Sequence, residues 1–356
     1  MTLYFYRENI KGEEFCKILN SENNNEKFWI CEINLFANLK IYFDKIIISG
    51  IYNDTNNILN NSKYIFDIEL LKSNLQKAVR KQLTDIALST AYTIILQNKT
   101  QLLRRLPIIA LEDSSINFQD LTFLIWLMIA DSKGYKLTNY DINKILSIVE
   151  NITNNKYRDY LDNDSDNLNY LINSNLEYNY DQDFVNYYNS IFIRLEFGTM
   201  EGDKKWLINM ANEWLKRINK KDGNISYYLK KIPKAEVKEY NFKELEFKKK
   251  YQLSEAVDFH CYKNIFNELK EKIPEIKYES REDLTKAIWY LRSSINVREK
   301  FIRHNKKAEE FCEKYKNERI KYSNIFSVIE KQLNLISDDY WNNSIKKKKN
   351  NLLNFI

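Results

Sequence analysis

The chain has 356 residues, 44% of them hydrophobic and 14% aromatic, with a formal net charge of +6. That length can bury a large core and suggests two or three structural units. Only 6 Gly and 3 Pro interrupt it, too few for a sandwich or barrel, which turns about every 8–12 residues.

No apolar run approaches the roughly 20 residues of a membrane span. The first residues carry neither the basic nor the apolar region of a signal peptide. Four cysteines, Cys16, Cys31, Cys261 and Cys312, follow no regular spacing and read as free thiols of a reducing, cytoplasmic compartment. The abundance of Asn, Lys, Ile and Tyr matches an AT-rich genome, so an Asn-rich loop is weak evidence of function. Charge is unevenly placed: residues 1–180 hold 19 Lys+Arg against 22 Asp+Glu, a net of −3, which leaves +9 for residues 181–356. Such asymmetry points to an anionic partner for the basic half or to lysine-rich solvated helix faces.

Residues 1–65 form the first expected unit. Phe28–Cys31 and Leu39–Ile51 are rich in Ile, Phe and Tyr and short enough for strands, so a small β-containing module covers one side of a helical body. Residues 66–152 form a helical core unit. Asp67 and Thr84 have side chains suited to N-caps, and a third segment starts at Thr100. Pro107 predicts a kink or fresh start, since proline removes a helix hydrogen bond. Glu112 and Asp113 would oppose a helix dipole unless Arg104 or Arg105 compensates; a capping role for Asp113 ahead of Phe118–Asp131 removes the misfit. Thr138 or Asn139 opens a helix to Ile152 with one apolar face. A flexible junction is expected over 153–182. Residues 183–356 form a basic helical unit: helices at Asp183–Phe197 and Asp203–Lys220, a lysine-rich connection over 230–252, then Glu255–Lys272, a long helix from Arg281 to about Asn317, Ile320–Leu335 and Ser337–Leu353. The class is mainly α, a multi-helix body with a small N-terminal β-containing module.

Candidate binding residues come in two groups. Lys77, Arg80 and Lys81 stand at i, i+3 and i+4 and share a helix face. Arg104 and Arg105, one helix on, can converge with them into the line of positive charge that a phosphate backbone requires. The alternative is an internal salt-bridge network with Asp85, Glu112 and Asp113. In the second group, Arg292, Arg298 and Arg303 lie near Trp289 and Tyr290, a mixture that can stack bases of a single strand or serve as core and solvated surface. His260 is one of two histidines, and any acid–base chemistry would start from it or His304. A metal site from Asp258, His260, Cys261 and Cys312 lacks ligand spacing. No phosphate loop, dinucleotide fingerprint, nucleophile elbow or zincin motif occurs, so no catalytic residue, metal or cofactor is assigned.

Leu75-Gln76-Lys77-Ala78-Val79-Arg80, the alanines at 87 and 91, Leu103-Arg104-Arg105-Leu106 and Ala110-Leu111-Glu112-Asp113 together resemble the helical C-terminal region of MgsA/RarA-type clamp-loader ATPases. The resemblance implies an oligomerising collar that works at replication forks. It implies no ATPase, and Pro107 departs from the pattern. Val257–Cys261 with Ile288–Arg298 more faintly resembles uncharacterised proteins of large DNA viruses. The expected function is a non-enzymatic, nucleic-acid-associated protein that binds phosphate backbone through basic helix faces, an accessory factor in replication or another nucleic-acid process. The alternatives are a protein–protein scaffold or oligomer joined through the apolar helices around Phe118–Ala130, and an unrecognised enzyme centred on His260.

Overall fold

Alternation of apolar and polar residues starts at the first strand and sets the N-terminal architecture. The computed structural model describes residues 2–10, 13–19, 29–34, 45–50, 64–159, 181–197, 201–219, 230–292, 299–300, 317, 320 and 323–347. Strands β1 (Thr2–Ile10), β2 (Glu13–Leu19), β3 (Trp29–Asn34) and β4 (Lys45–Gly50) form a sheet of order β2-β1-β4-β3. Two antiparallel hairpins are joined through a parallel β1–β4 pair. The first two strands were not among the expected ones, while β3 and β4 fall within or beside the two that were. Leu3, Phe5 and Arg7 on β1, Cys16 and Ile18 on β2, and Ile46 and Ile48 on β4 are buried, the period of two expected of a half-covered sheet.

Helices make up most of the rest: α1 (Ile68–Arg80), α2 (Thr84–Asp113), α3 (Phe118–Ser132) and α4 (Asn139–Asn154) precede α5 (Gln182–Glu196) and α6 (Glu201–Asn219). The molecule is mainly α with a small N-terminal β-containing module. Asp67 caps α1 by accepting from the amides of Glu69 and Leu70, as its position predicts. Thr138 and Asp141 form a reciprocal capping box on α4.

Three local expectations are corrected. Thr84 does not cap α2: the helix begins at Thr84 itself, whose hydroxyl donates to Asn154 Oδ1 at 2.6 Å. The helix continues through Pro107, where a kink or fresh start was expected, while the break at Asn98, with φ −159° and ψ 78°, agrees with a new segment starting at Thr100. Asp113 ends α2 instead of capping α3, whose cap is Asn117 accepting from the Gln119 amide at 3.0 Å.

The sheet docks on α3 and α4 through a buried arginine. Arg7 continues the inward positions of Leu3 and Phe5, where its guanidinium meets Asp141 at 2.7 Å and the Tyr135 hydroxyl at 3.1 Å. The rings of Phe123 and Trp126 lie about it, centroids 5.1 and 5.2 Å away. Gly50, in register with Arg7, lets Trp126 approach: a Cβ there would lie 2.6 Å from Trp126 Cζ2. Trp126 Nε1 donates to the Ser49 carbonyl at 3.2 Å.

Residues 232–253 run as a strap across the helices, and helix side chains bond several of its backbone groups. Asn117 and Asn151 donate to the carbonyls of Ile232 and Pro233. Asp120 accepts from the Ala235 amide and Ser147 from the Lys238 amide. Ser89 donates to the Leu245 carbonyl, and Asn74 holds Tyr251 and Leu253. The lysine-rich connection is therefore a packed element.

Beyond the strap lie α7 (Ile265–Lys272), α8 (Arg281–Arg292) and α9 (Ser323–Ser344). One apolar core runs from the sheet through α6 and the strap to Trp341. A second gathers Ile265, Leu269, Leu284, Ile288, Ile329 and Leu333 with their neighbours. Helices α5 and α6 lie in the first core, and α9 contributes to both; residues 160–180 of the junction expected over 153–182 lie outside the described residues.

Other boundaries also move. Ser254 opens only a short 3-10 turn, and the helix starts at Ile265. The helix expected to reach Asn317 stops at Arg292, with strand Glu299–Lys300 after it. Ile320–Leu335 and Ser337–Leu353 are replaced by the single α9, which carries Asp338 and Asp339 in its interior. Among the described residues no helix is long and apolar enough to cross a membrane.

Candidate functional site

The face shared by Lys77, Arg80 and Lys81 points toward carboxylates. Arg80 grips Asp113, with Nε 2.6 Å from Oδ1 and Nη2 3.0 Å from Oδ2. Gln76, one turn before Arg80, donates to Glu112 at 3.1 Å and to Asp113 at 2.9 Å while accepting from Arg105 at 2.8 Å. Arg105 stands 3.9 Å from Glu112 and 3.7 Å from Asp203. Lys77 pairs with Asp258 at 3.0 Å, almost fully buried, and Lys81 pairs with Glu255.

Of the expected phosphate track, Lys77, Arg80, Lys81 and Arg105 thus face carboxylates of the α2 terminus, the 254–258 turn and Asp203, and Arg104 does not. Glu112 and Asp113 take part as the internal-network alternative supposes. Asp85 is exposed. Gln76, Asp203, Glu255 and Asp258 are participants that sequence reasoning missed. Gln76 alone had a signal, four residues before Arg80 on the same face; the others come from elements distant in the chain.

Burial alone would raise the pKa of Asp113, but the Arg80 guanidinium, with Arg158 and Gln76 beside it, holds it below the ordinary value. The same holds at Asp258, where burial opposes ionisation. Hydrogen bonds from His260 and the charge of Lys77 outweigh it and keep the carboxyl well below the usual range.

A carboxyl depressed on folding adds stability above its unfolded pKa, about 3.9. That stability disappears as pH falls through the folded value. The stability difference between the natural protein and Asp258→Asn is therefore expected to be constant above about pH 5 and to shrink below about pH 4, followed by urea unfolding at each pH. A difference independent of pH would contradict the pairing.

Of the second group's arginines, only Arg292 lies among the described residues. Arg292 is buried and donates to Asn334 and Ser337 on α9. Arg298 and Arg303 lie outside the described residues. Trp289 remains 40% exposed against Tyr290, ring centroids 4.9 Å apart. Arg104 alone of the first group forms no ion pair among the described residues.

No known family model, curated protein or solved structure matches this chain. The likeness of residues 75–113 to clamp-loader collars therefore rests on residue types alone.

His260 exposes 69% of its side chain, with Nδ1 3.1 Å from Asp258 Oδ1. A carboxylate behind an exposed imidazole orients it for proton transfer. Cys261, next to it, is turned away toward the carbonyls of Ala256 and Asp258. Burial, with the Asp258 charge adding, pushes its pKa up to about 12, so it is no thiolate near neutral pH. Among the described residues no group of three or more His, Cys, Asp and Glu side chains suits a metal ion. Helix α3, the expected subunit interface of the scaffold alternative, is consumed inside the chain: Phe118 packs on Tyr187 and Trp214, and Leu121 to Ala130 are buried.

A run of exposed positive charge lies at the end of the strap. Lys248, Lys249 and Lys250 are consecutive and exposed, and among the described residues none of them forms an ion pair; Lys250 lies over the Tyr251 ring at 5.1 Å. Phe247 anchors them, its ring 5.9 Å from Trp341 and 5.0 Å from Phe66. Next to Phe66, strand β5 (Tyr64–Ile65) pairs with Lys347 and Lys346 of the terminal strand. The backbone of Lys346–Lys347 thus pairs beside Phe66, the residue whose ring meets Phe247.

Proposed function

We propose that the protein is a non-enzymatic, nucleic-acid-associated protein that holds phosphate backbone on this lysine run, as an accessory factor in replication or another nucleic-acid process. The observation supporting the reading is the exposed run Lys248–Lys250, in no ion pair among the described residues and anchored by Phe247 against Phe66 and Trp341. Lysines are compact, strongly hydrated charges that neutralise phosphates without reading bases, so the binding is insensitive to sequence. Counter-ion release makes it strongly salt-dependent.

A mobility shift with a labelled oligonucleotide is expected at low salt and is lost at moderate salt. Replacing Lys248, Lys249 and Lys250 together by Ala lowers the slope of log affinity against log salt. The decrease is about 0.7 to 0.9 for each lysine that contacts a phosphate. Absence of binding at low salt, or an unchanged slope in the triple variant, removes the proposal. A salt-resistant oligomer without nucleic-acid affinity would decide for the scaffold.

A further inference from the structure

Three guanidinium groups from two helices crowd together beside α2. Pro107 gives no N–H to the carbonyl four residues back. Arg194, from α5 and only 4% exposed, sits on the next carbonyl, Arg104 O, with Nε at 3.1 Å and Nη2 at 2.6 Å. That contact explains one edge of its guanidinium. The remaining nitrogen, Nη1, is buried and has no hydrogen-bond partner among the described residues, although such groups are nearly always satisfied.

On α2, Arg104 is part-exposed and in no ion pair among the described residues, and Arg105 donates to Gln76 at 2.8 Å and stands 3.9 Å from Glu112 and 3.7 Å from Asp203. Burial, and then the neighbouring charges of Arg104 and Arg105 working against Asp203, lower the Arg194 pKa to about 10. Asp203 lies in the first turn of α6, so the positive end of that helix dipole faces the same place. The Glu112 carboxylate offers little relief, because it is shared with Arg80 at 3.9 Å and with Gln76 at 3.1 Å. Like charges held this close cost free energy unless an anion joins them.

We propose that Arg104, Arg105 and Arg194 form a binding site for a single phosphate group, with Arg104 and Arg105 as the clasping pair and Arg194 as the buried charge beneath. Guanidinium forks match phosphate oxygens in a way that lysines do not. The site is separate from the lysine run and stands without it.

The test uses the full chain and inorganic phosphate at constant ionic strength, with chloride as control. A ligand bound only by the folded state raises the thermal midpoint in proportion to occupancy. Phosphate is expected to raise the midpoint of the natural protein and of Lys249→Ala, and to leave that of Arg104→Ala where it is in chloride. Arg104→Ala removes a like charge from a partly exposed position, so it is expected to fold with an unchanged or higher midpoint in chloride. No rise in the natural protein, or an equal rise in Arg104→Ala, overturns the proposal. Competition then separates the sources. An oligonucleotide that displaces phosphate assigns the site to backbone, and one that leaves it in place while a mononucleotide displaces it assigns it to a small phosphomonoester.

Discussion

Arg80→Met is expected to destabilise the fold by about 3–5 kcal/mol. Asp113 is fully buried and Arg80 meets both its oxygens; Gln76 and the charge of Arg158 are the other groups that favour its ionised form. Removing the guanidinium leaves a carboxylate at the C-terminal end of α2, where the helix dipole also opposes it. The cost comes from the stranded charge more than from lost attraction, since desolvation nearly cancels the gain of a buried pair. The double change Arg80→Met with Asp113→Leu should therefore recover most of the loss. Urea midpoints compared at unchanged m report both quantities. A loss below about 1 kcal/mol, the scale of an exposed pair, would mean the pair is solvated. Arg104→Ala is the contrast, close to neutral in the absence of phosphate, although Arg80 and Arg104 look alike in the sequence.

The second large effect is expected at Arg7. Its side chain is 4% exposed and that of Asp141 is fully buried, so Arg7→Met also costs about 3–5 kcal/mol. Here the loss is local as well as global. Asp141 keeps the Tyr135 hydroxyl and the Thr138 amide, so the capping box can hold α4 while the sheet loses its anchor. Amide exchange of β1 and β4 should then accelerate far more than that of α3 or α4. Lysine at position 7 keeps the charge but not the planar fork that meets Asp141 and Tyr135 together, and is expected to recover only part of the loss. Equal acceleration throughout the chain would show that the sheet is not a separately loosened unit.

Much of the helical body was legible in the residues. Apolar spacing and the polar groups at Asp67 and Thr138 locate α1 and α4, and the apolar run 118–130 is a helix buried on all sides. Those features are local: a cap needs only the next turn, and periodicity needs only its own helix. Boundaries failed where a distant partner set them. Asp113 reads as a cap until Arg80 is known to reach it. Strands β1 and β2 escaped notice because Arg7 and Glu8 blur the alternation, and only the docked helices show why a charge occupies an inward position.

By itself, then, the order of residues determined a mainly helical chain with a small strand module in front, and an excess of positive charge behind. Which cations neutralise carboxylates inside and which face water was decided by tertiary structure alone. A side chain's electrostatic role depends on what lies within a few ångströms of it, and for Lys77, Lys81 and Arg105 those neighbours come from residues 203, 255 and 258.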